Sequence, residues 1–204
     1  VTHEFEGRVL FSNLSFHIRS GRRICIAGGS GSGKSTLLKI LAGLTAPSDG
    51  TVAIGTDRMT DASVWHLRNR IGYVAQEAQL GDGPVLERLR RPFAYHANRH
   101  LKWDRRRAVE YCRQFRLQES LLHKNLADLS GGEKQRVALV IALLMERPIL
   151  LLDEPVSALD VELKGIVKEE LTRDASRTIL FGSHETTLLE IADGTIDVGK
   201  GGRQ

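Results

Sequence analysis

Nine consecutive residues, Gly28-Gly29-Ser30-Gly31-Ser32-Gly33-Lys34-Ser35-Thr36, fit the spacing G-x-x-x-x-G-K-[ST]. Glycines let a backbone wrap closely enough for successive N–H groups to point inward at an anion. A following lysine supplies charge for a terminal phosphate, and a hydroxyl supplies a ligand for a divalent cation. The chemistry this predicts is nucleoside triphosphate binding, with Lys34 on the β- and γ-phosphates and Ser35 on Mg²⁺. Far downstream, Ile149-Leu150-Leu151-Leu152-Asp153-Glu154 closes four aliphatics with two carboxylates. A strand buried on both faces would deliver those acids to the carboxyl edge of a parallel sheet, where ligands bind in open α/β folds. Asp153 is then placed to hold Mg²⁺, and Glu154 to orient or deprotonate an attacking water.

A third element is Leu129-Ser130-Gly131-Gly132-Glu133. Ser130 and Glu133 have capping-box spacing, so a helix starts here. The glycines between them leave backbone N–H groups at a positive helix end, a second anion site in the same chain. One triphosphate has no need of two such sites. Two copies arranged head to tail would use both, with Ser130 and Gly132 of one covering the γ-phosphate bound by the other.

The elements that must position these residues are legible in outline. Val9–Ile18 alternates apolar and polar residues, as a half-buried strand does. Arg22–Ala27 reads as a buried strand running into the glycines, and Ser35–Leu44 has helical apolar spacing. Thr51–Ile54 and Ile71–Ala75 are further short strands. Pro84–Leu126 is the most charged stretch and reads as a small helical lobe inserted between strands. Val137–Met145 is a long apolar helix, Leu163–Thr172 another, and Thr178–Gly182 a buried strand. Strands alternating with helices predict an α/β fold, a mostly parallel sheet covered on both sides. The expected organisation is one domain over 1–204, its core in 1–76 and 148–204 and the helical lobe at about 84–147.

The chain's 204 residues suit one domain, and 41% hydrophobic with 26% charged residues is ordinary globular composition. The longest strongly apolar run, Val137–Met145, is far too short to span a bilayer, and Val1-Thr2-His3-Glu4 does not open a signal peptide. The chain is therefore expected to be soluble and to reach a membrane only through a partner. Cys25 and Cys112 fall in apolar patterns and read as buried thiols in a reducing compartment. The formal charge of +4 gathers partly in Arg99–Arg107, a solvated helix face or a contact for anionic headgroups or an acidic partner loop. Aromatic residues are too few for a nucleic-acid stacking platform, so no nucleic acid is expected.

The loop Gly28–Thr36, Leu129–Glu133, Ile149–Glu154 and Ser157-Ala158-Leu159-Asp160 together resemble the ATP-binding cassette family in type, order and spacing. The match covers nearly the whole chain, and the Leu-Ser-Gly-Gly-Glu element (Leu129–Glu133) distinguishes this family among P-loop NTPases. The resemblance implies a P-loop NTPase core with an N-terminal antiparallel β portion and an inserted α-helical lobe. It also implies binding and hydrolysis of Mg-ATP by a homodimer. Gln76 resembles the family glutamine that contacts Mg²⁺ and water, and His184 the histidine at the γ-phosphate. Asp160 resembles the aspartate that crosses the dimer interface, and Ser130, Gly131 and Gly132 the segment that closes the partner's nucleotide. Phe5 is the candidate aromatic residue for stacking on adenine, in a looser match. The implied task is that of a transporter's motor subunit on the cytoplasmic side of the inner membrane. It would be held there by a polytopic membrane partner that contacts Gln76 and Glu77–Phe93. A soluble regulatory or assembly ATPase of the same fold is the alternative. Asn125–Asp128, Glu133–Arg136 and Gly81–Phe93 look most like bacterial iron- or metal-export ATPases of the Fet type.

Overall fold

The computed structural model describes residues 1–200. Strands β1 (His3–Phe5) and β2 (Arg8–Phe11) form an antiparallel hairpin whose turn residues, Glu6 and Gly7, both take positive φ. Positive φ at both central residues matches the right-handed twist of the flanking strands. The chain then enters β3 (Arg23–Ala27), the glycine-rich loop and helix α1 (Lys34–Leu41). A two-residue hairpin, β4 (Ala53–Ile54) and β5 (Asp57–Arg58), and helix α2 (Val64–Arg68) lead to β6 (Ile71–Val74). Helices α3 (Val85–Arg90), α4 (Arg105–Gln114) and α5 (Gly131–Leu144) follow, linked by short 3₁₀ turns. The remaining elements are β7 (Ile149–Asp153), α6 (Val161–Arg173), β8 (Thr178–Gly182), α7 (Thr186–Leu189) and β9 (Gly194–Asp197).

Five strands form one parallel sheet in the order β6-β7-β8-β3-β9. Alternation along each strand divides the core in two. Cys25, Leu150, Leu152, Ile179 and Phe181 face one cluster with α5, α6 and the helices of 84–126. Ile26, Leu151, Leu180 and Ile196 face the other, with Leu37, Leu38 and Ile40 of α1 and with Phe11 and Leu14 from the N-terminal segment. Leu150, Leu151 and Leu152 are each at most 2% exposed, as four aliphatics on a doubly covered strand require.

The parallel arrangement has one consequence for function: β3, β6, β7 and β8 all end on the same edge. The glycine-rich loop leaves β3 there, Gln76 follows β6, Asp153 closes β7 and His184 follows β8.

Two local expectations are revised. The alternation over 9–18 is real in burial, since Leu14, Phe16 and Ile18 pack inward in turn, but the ladder stops at Phe11. Asn13 takes φ 53°, a left-handed conformation that ends a strand. Residues 84–126 are less helical than their composition suggests. Pro92, which has no N–H to donate, sits in a 3₁₀ turn after α3, and α4 needs a fresh start at the Asp104 N-cap. Helix α5, by contrast, begins at Gly131 as its capping-box spacing predicts, with Ser130 as the N-cap and the apolar run from Val137 continuing the same helix. Residues 201–204, which the sequence reading assigned to the core, lie outside the described residues.

Candidate active site

The loop between β3 and α1 is a shaped cradle. Gly28 takes φ 149°, and a Cβ there would meet the Ser32 Oγ at 2.4 Å. Gly33, the N-cap of α1, takes φ 99°, and a Cβ would press on the Phe11 ring at 3.1 Å. Both positions therefore need glycine on grounds of conformation and space together. No side chain caps α1, so its first N–H groups face the loop. The buried Lys34 lays its Nζ across the loop, donating to the Gly28 carbonyl at 2.8 Å and the Gly29 carbonyl at 3.1 Å.

The loop forms one wall of a cavity of about 300 Å³ that also takes in Gln76, Asp153, Glu154, His184 and Leu10. Asp153 is 3% exposed. Its carboxylate accepts a hydrogen bond from Ser35, while its second oxygen, Oδ1, is buried without a partner. Burial pushes this acid above the usual carboxylate range, against the opposing pull of the Ser35 bond, Lys39 and Lys34. A hydroxyl, a carboxylate with a spare buried oxygen and an amide make an all-oxygen donor set of the kind a hard divalent cation takes. Mg²⁺ therefore fits these residues. Among the described residues no cluster of three or more His, Cys, Asp or Glu side chains offers another metal site.

Glu154 sits at φ 45°, a left-handed conformation uncommon outside glycine, and its N–H donates to the Gly182 carbonyl at 2.8 Å. That bond is the last rung of the β7–β8 ladder, and the positive φ ends the strand at Glu154, just after Asp153. Burial raises the Glu154 pKa, and the opposing pulls of His184 and Lys34 only partly offset this. His184 Nε2 lies 4.0 Å from Glu154 Oε1. A carboxylate and an imidazole thus face the same space in front of Lys34, a geometry suited to holding a water against a terminal phosphate.

The other predicted residues lie elsewhere. Ser130, Gly131 and Gly132 form the N-terminus of α5, where the Ser130 N–H and hydroxyl both donate to Glu133 Oε2 at 2.8 Å. These bonds hold the Glu133 carboxyl below its usual range. A Cβ on Gly132 would lie 3.3 Å from the Ala158 carbonyl, so this helix end packs against the turn leading to Asp160. Asp160 caps α6, accepting from the Leu163 N–H at 2.8 Å. None of these residues lines the cavity. Phe5, 59% exposed at the end of β1, does not line it either. Two contributors escape the sequence reading. Leu10 enters the cavity because β2 runs beside the loop, and Gln135 is buried on α5 with its amide on the Ala75 carbonyl.

A glycine-rich phosphate cradle at the end of β3, faced by two acids at the end of β7, two places along the same parallel sheet, defines a P-loop nucleoside triphosphatase. A profile of the ABC transporter family matches residues 11–157, and the chain belongs to that family as an ATP-binding, ATP-hydrolysing cassette. It is 35% identical over 190 residues to the probable iron export ATP-binding protein FetA of Escherichia coli (strain K12), covering 92% of this chain and 83% of that one. It is 36% identical over 217 residues to the sulfate/thiosulfate import ATP-binding protein CysA 2 of Rhizobium meliloti (strain 1021), covering 98% of this chain and 56% of that one. It spans less than a third of the length of several further relatives. The dimeric post-hydrolysis structure of the ATP-binding cassette MJ0796 bound to ADP and Pi superposes with a TM-score of 0.82 at 29% identity, covering 99% of this chain and 93% of that one.

Proposed function

We propose that this chain is the ATP-driven motor of a membrane transporter and works as a head-to-tail pair in which each copy closes the other's nucleotide. One observation supports the pairing above others. The cavity gathers the groups that grip and cut, whereas Ser130–Gly132 and Asp160 form a separate exposed face of the same chain.

In this reading Lys34 and the loop N–H groups bind the β- and γ-phosphates of ATP. Ser35, Asp153 and Gln76 would hold Mg²⁺, which when bound neutralises phosphate charge. Glu154 accepts the proton of the attacking water, and His184 orients that water and touches the γ-phosphate. The N–H groups at Ser130–Gly132 of a second copy cover the same phosphate, and Asp160 crosses between copies. Phe5 stacks on adenine from the exposed hairpin.

Among the described residues no helix is long and apolar enough to cross a membrane. A polytopic membrane partner supplies the path, docks near Gln76 and Glu77–Phe93, and holds the cassette at the cytoplasmic face of the inner membrane. Metal export is the cargo reading supported by the FetA relative, 83% of whose length this chain covers.

Glu154→Gln tests the catalytic assignment. Turnover is expected to fall at least about a thousandfold while ATP still binds, since binding and chemistry use different groups. Turnover within a few-fold of wild type would remove Glu154 from the role. Recovery of a polytopic membrane protein with the chain in detergent tests the transporter reading. Repeated absence of one would favour a soluble regulatory ATPase.

A further inference from the structure

Helix α5 carries one polar side chain deep in its apolar face. Gln135 is 3% exposed and shares a helix face with Leu139 and Ala142, which are 2% and 6% exposed. A buried amide costs stability unless it is hydrogen-bonded. Gln135 Nε2 donates to the Ala75 carbonyl at 3.3 Å, across 60 residues of chain.

Both ends of that bond are informative. Ala75 is the first residue beyond β6, where the backbone has left the sheet ladder. The next residue is Gln76, which is exposed and lines the phosphate cavity. Gln135 in turn stands five residues after Ser130, on the helix whose N-terminus forms the second anion-binding face. A side chain of α5 thus reaches the backbone immediately before a cavity residue, and α5 itself packs on β6.

We propose that Gln135 is a positioning residue for Gln76. It fixes the carbonyl at which the chain turns from β6 into the cavity, so a shift of α5 as it closes on a partner's nucleotide is passed to Gln76 in the same copy. Closing one site then places the metal- and water-contacting amide of the other. The inference rests on the reading of Gln76 given above, and its test separates the two.

The experiment compares Gln76→Ala, Gln135→Met and the double variant. Bound Mn²⁺ is followed by electron paramagnetic resonance with ATP in the Glu154→Gln background, and turnover is measured with Glu154 intact. Gln135→Met keeps the side chain's length and apolar contacts and removes the donor. It is expected to weaken Mn²⁺ half-saturation and lower kcat by about tenfold, the usual scale for a residue supporting a metal ligand, with KM for ATP within about twofold. The double variant is expected to be no worse than Gln76→Ala, because a residue that acts only through Gln76 has nothing left to position. Additive effects, or a fall in melting temperature with unchanged Mn²⁺ binding, would overturn the proposal and leave Gln135 as a core amide. If Gln76→Ala leaves Mn²⁺ binding unchanged, the reading of Gln76 fails and the proposal falls with it. Gln135→Leu also lacks the donor and gives the same readout should methionine disturb the packing.

Discussion

The chain has two helix ends fitted for an anion, and they are built differently. At the start of α1 no side chain caps the helix, and the loop before it is held open by glycines at φ 149° and 99°. Acids, a lysine and a histidine surround it. At the start of α5 the helix satisfies its own first turn through Ser130 and Glu133, and it carries neither a lysine across its loop nor a strand-end acid beside it. On the function proposed above, the first end binds and cuts and the second covers. The difference teaches why one copy would hold the groups for gripping and cleaving ATP yet present its covering group away from them.

Substitutions at the two ends should therefore separate. Lys34→Ala removes the charge at the phosphates, and ATP affinity of a single copy should fall by about a hundredfold or more, read by nucleotide titration. Gly132→Asp places a negative charge and a side chain at the covering end, 3.3 Å from the Ala158 carbonyl. It should leave single-copy affinity within about twofold while turnover falls by about a hundredfold, the scale of losing a positioned electrostatic contact. Equal loss of affinity in both variants would erase the distinction.

A smaller effect concerns pH. Burial raises the Glu154 pKa, and the role assigned to it needs the ionised form. The acid limb of kcat should then lie above the ordinary glutamate range. The stability sign is the opposite one: a carboxyl with a raised folded pKa contributes stability below its unfolded pKa and loses it as pH rises through the folded value. Glu154→Gln should thus melt no lower than wild type at neutral pH, and a lower melting point would contradict the burial argument. The smallest effect is expected at the second helix end, where Ser130→Ala removes an N-cap and should cost about 1 kcal/mol in denaturant unfolding.

Much of the first site was legible because its chemistry demands local sequence. Phosphate wrapping needs the glycines of 28–33, and delivering two acids to a sheet edge needs the aliphatics of 149–152. Gln76 and His184 were reached through family resemblance, since a lone glutamine or histidine after a strand announces nothing by itself. Strand β4 falls within the strand expected at Thr51–Ile54, but β5 and β9 are too short for periodicity to define, and α2 and α7 span barely more than a turn. Leu10 is set by how the hairpin lies beside the loop, a tertiary relation with no local signature. Gln135 did leave a trace, a polar residue on the same helical face as Leu139 and Ala142, but its meaning needs the position of Ala75.

The central claim, that each site is shared between copies, is tested most directly by mixing two inactive variants. Lys34→Ala keeps the covering end intact and Gly132→Asp keeps the cradle intact, so a mixed pair regains one whole site. An equimolar mixture should recover about a quarter of wild-type ATPase activity, the random-pairing value for a symmetric dimer with one of two sites restored in half the pairs. A mixture no more active than the separate variants, under conditions where the copies exchange, would contradict the shared site.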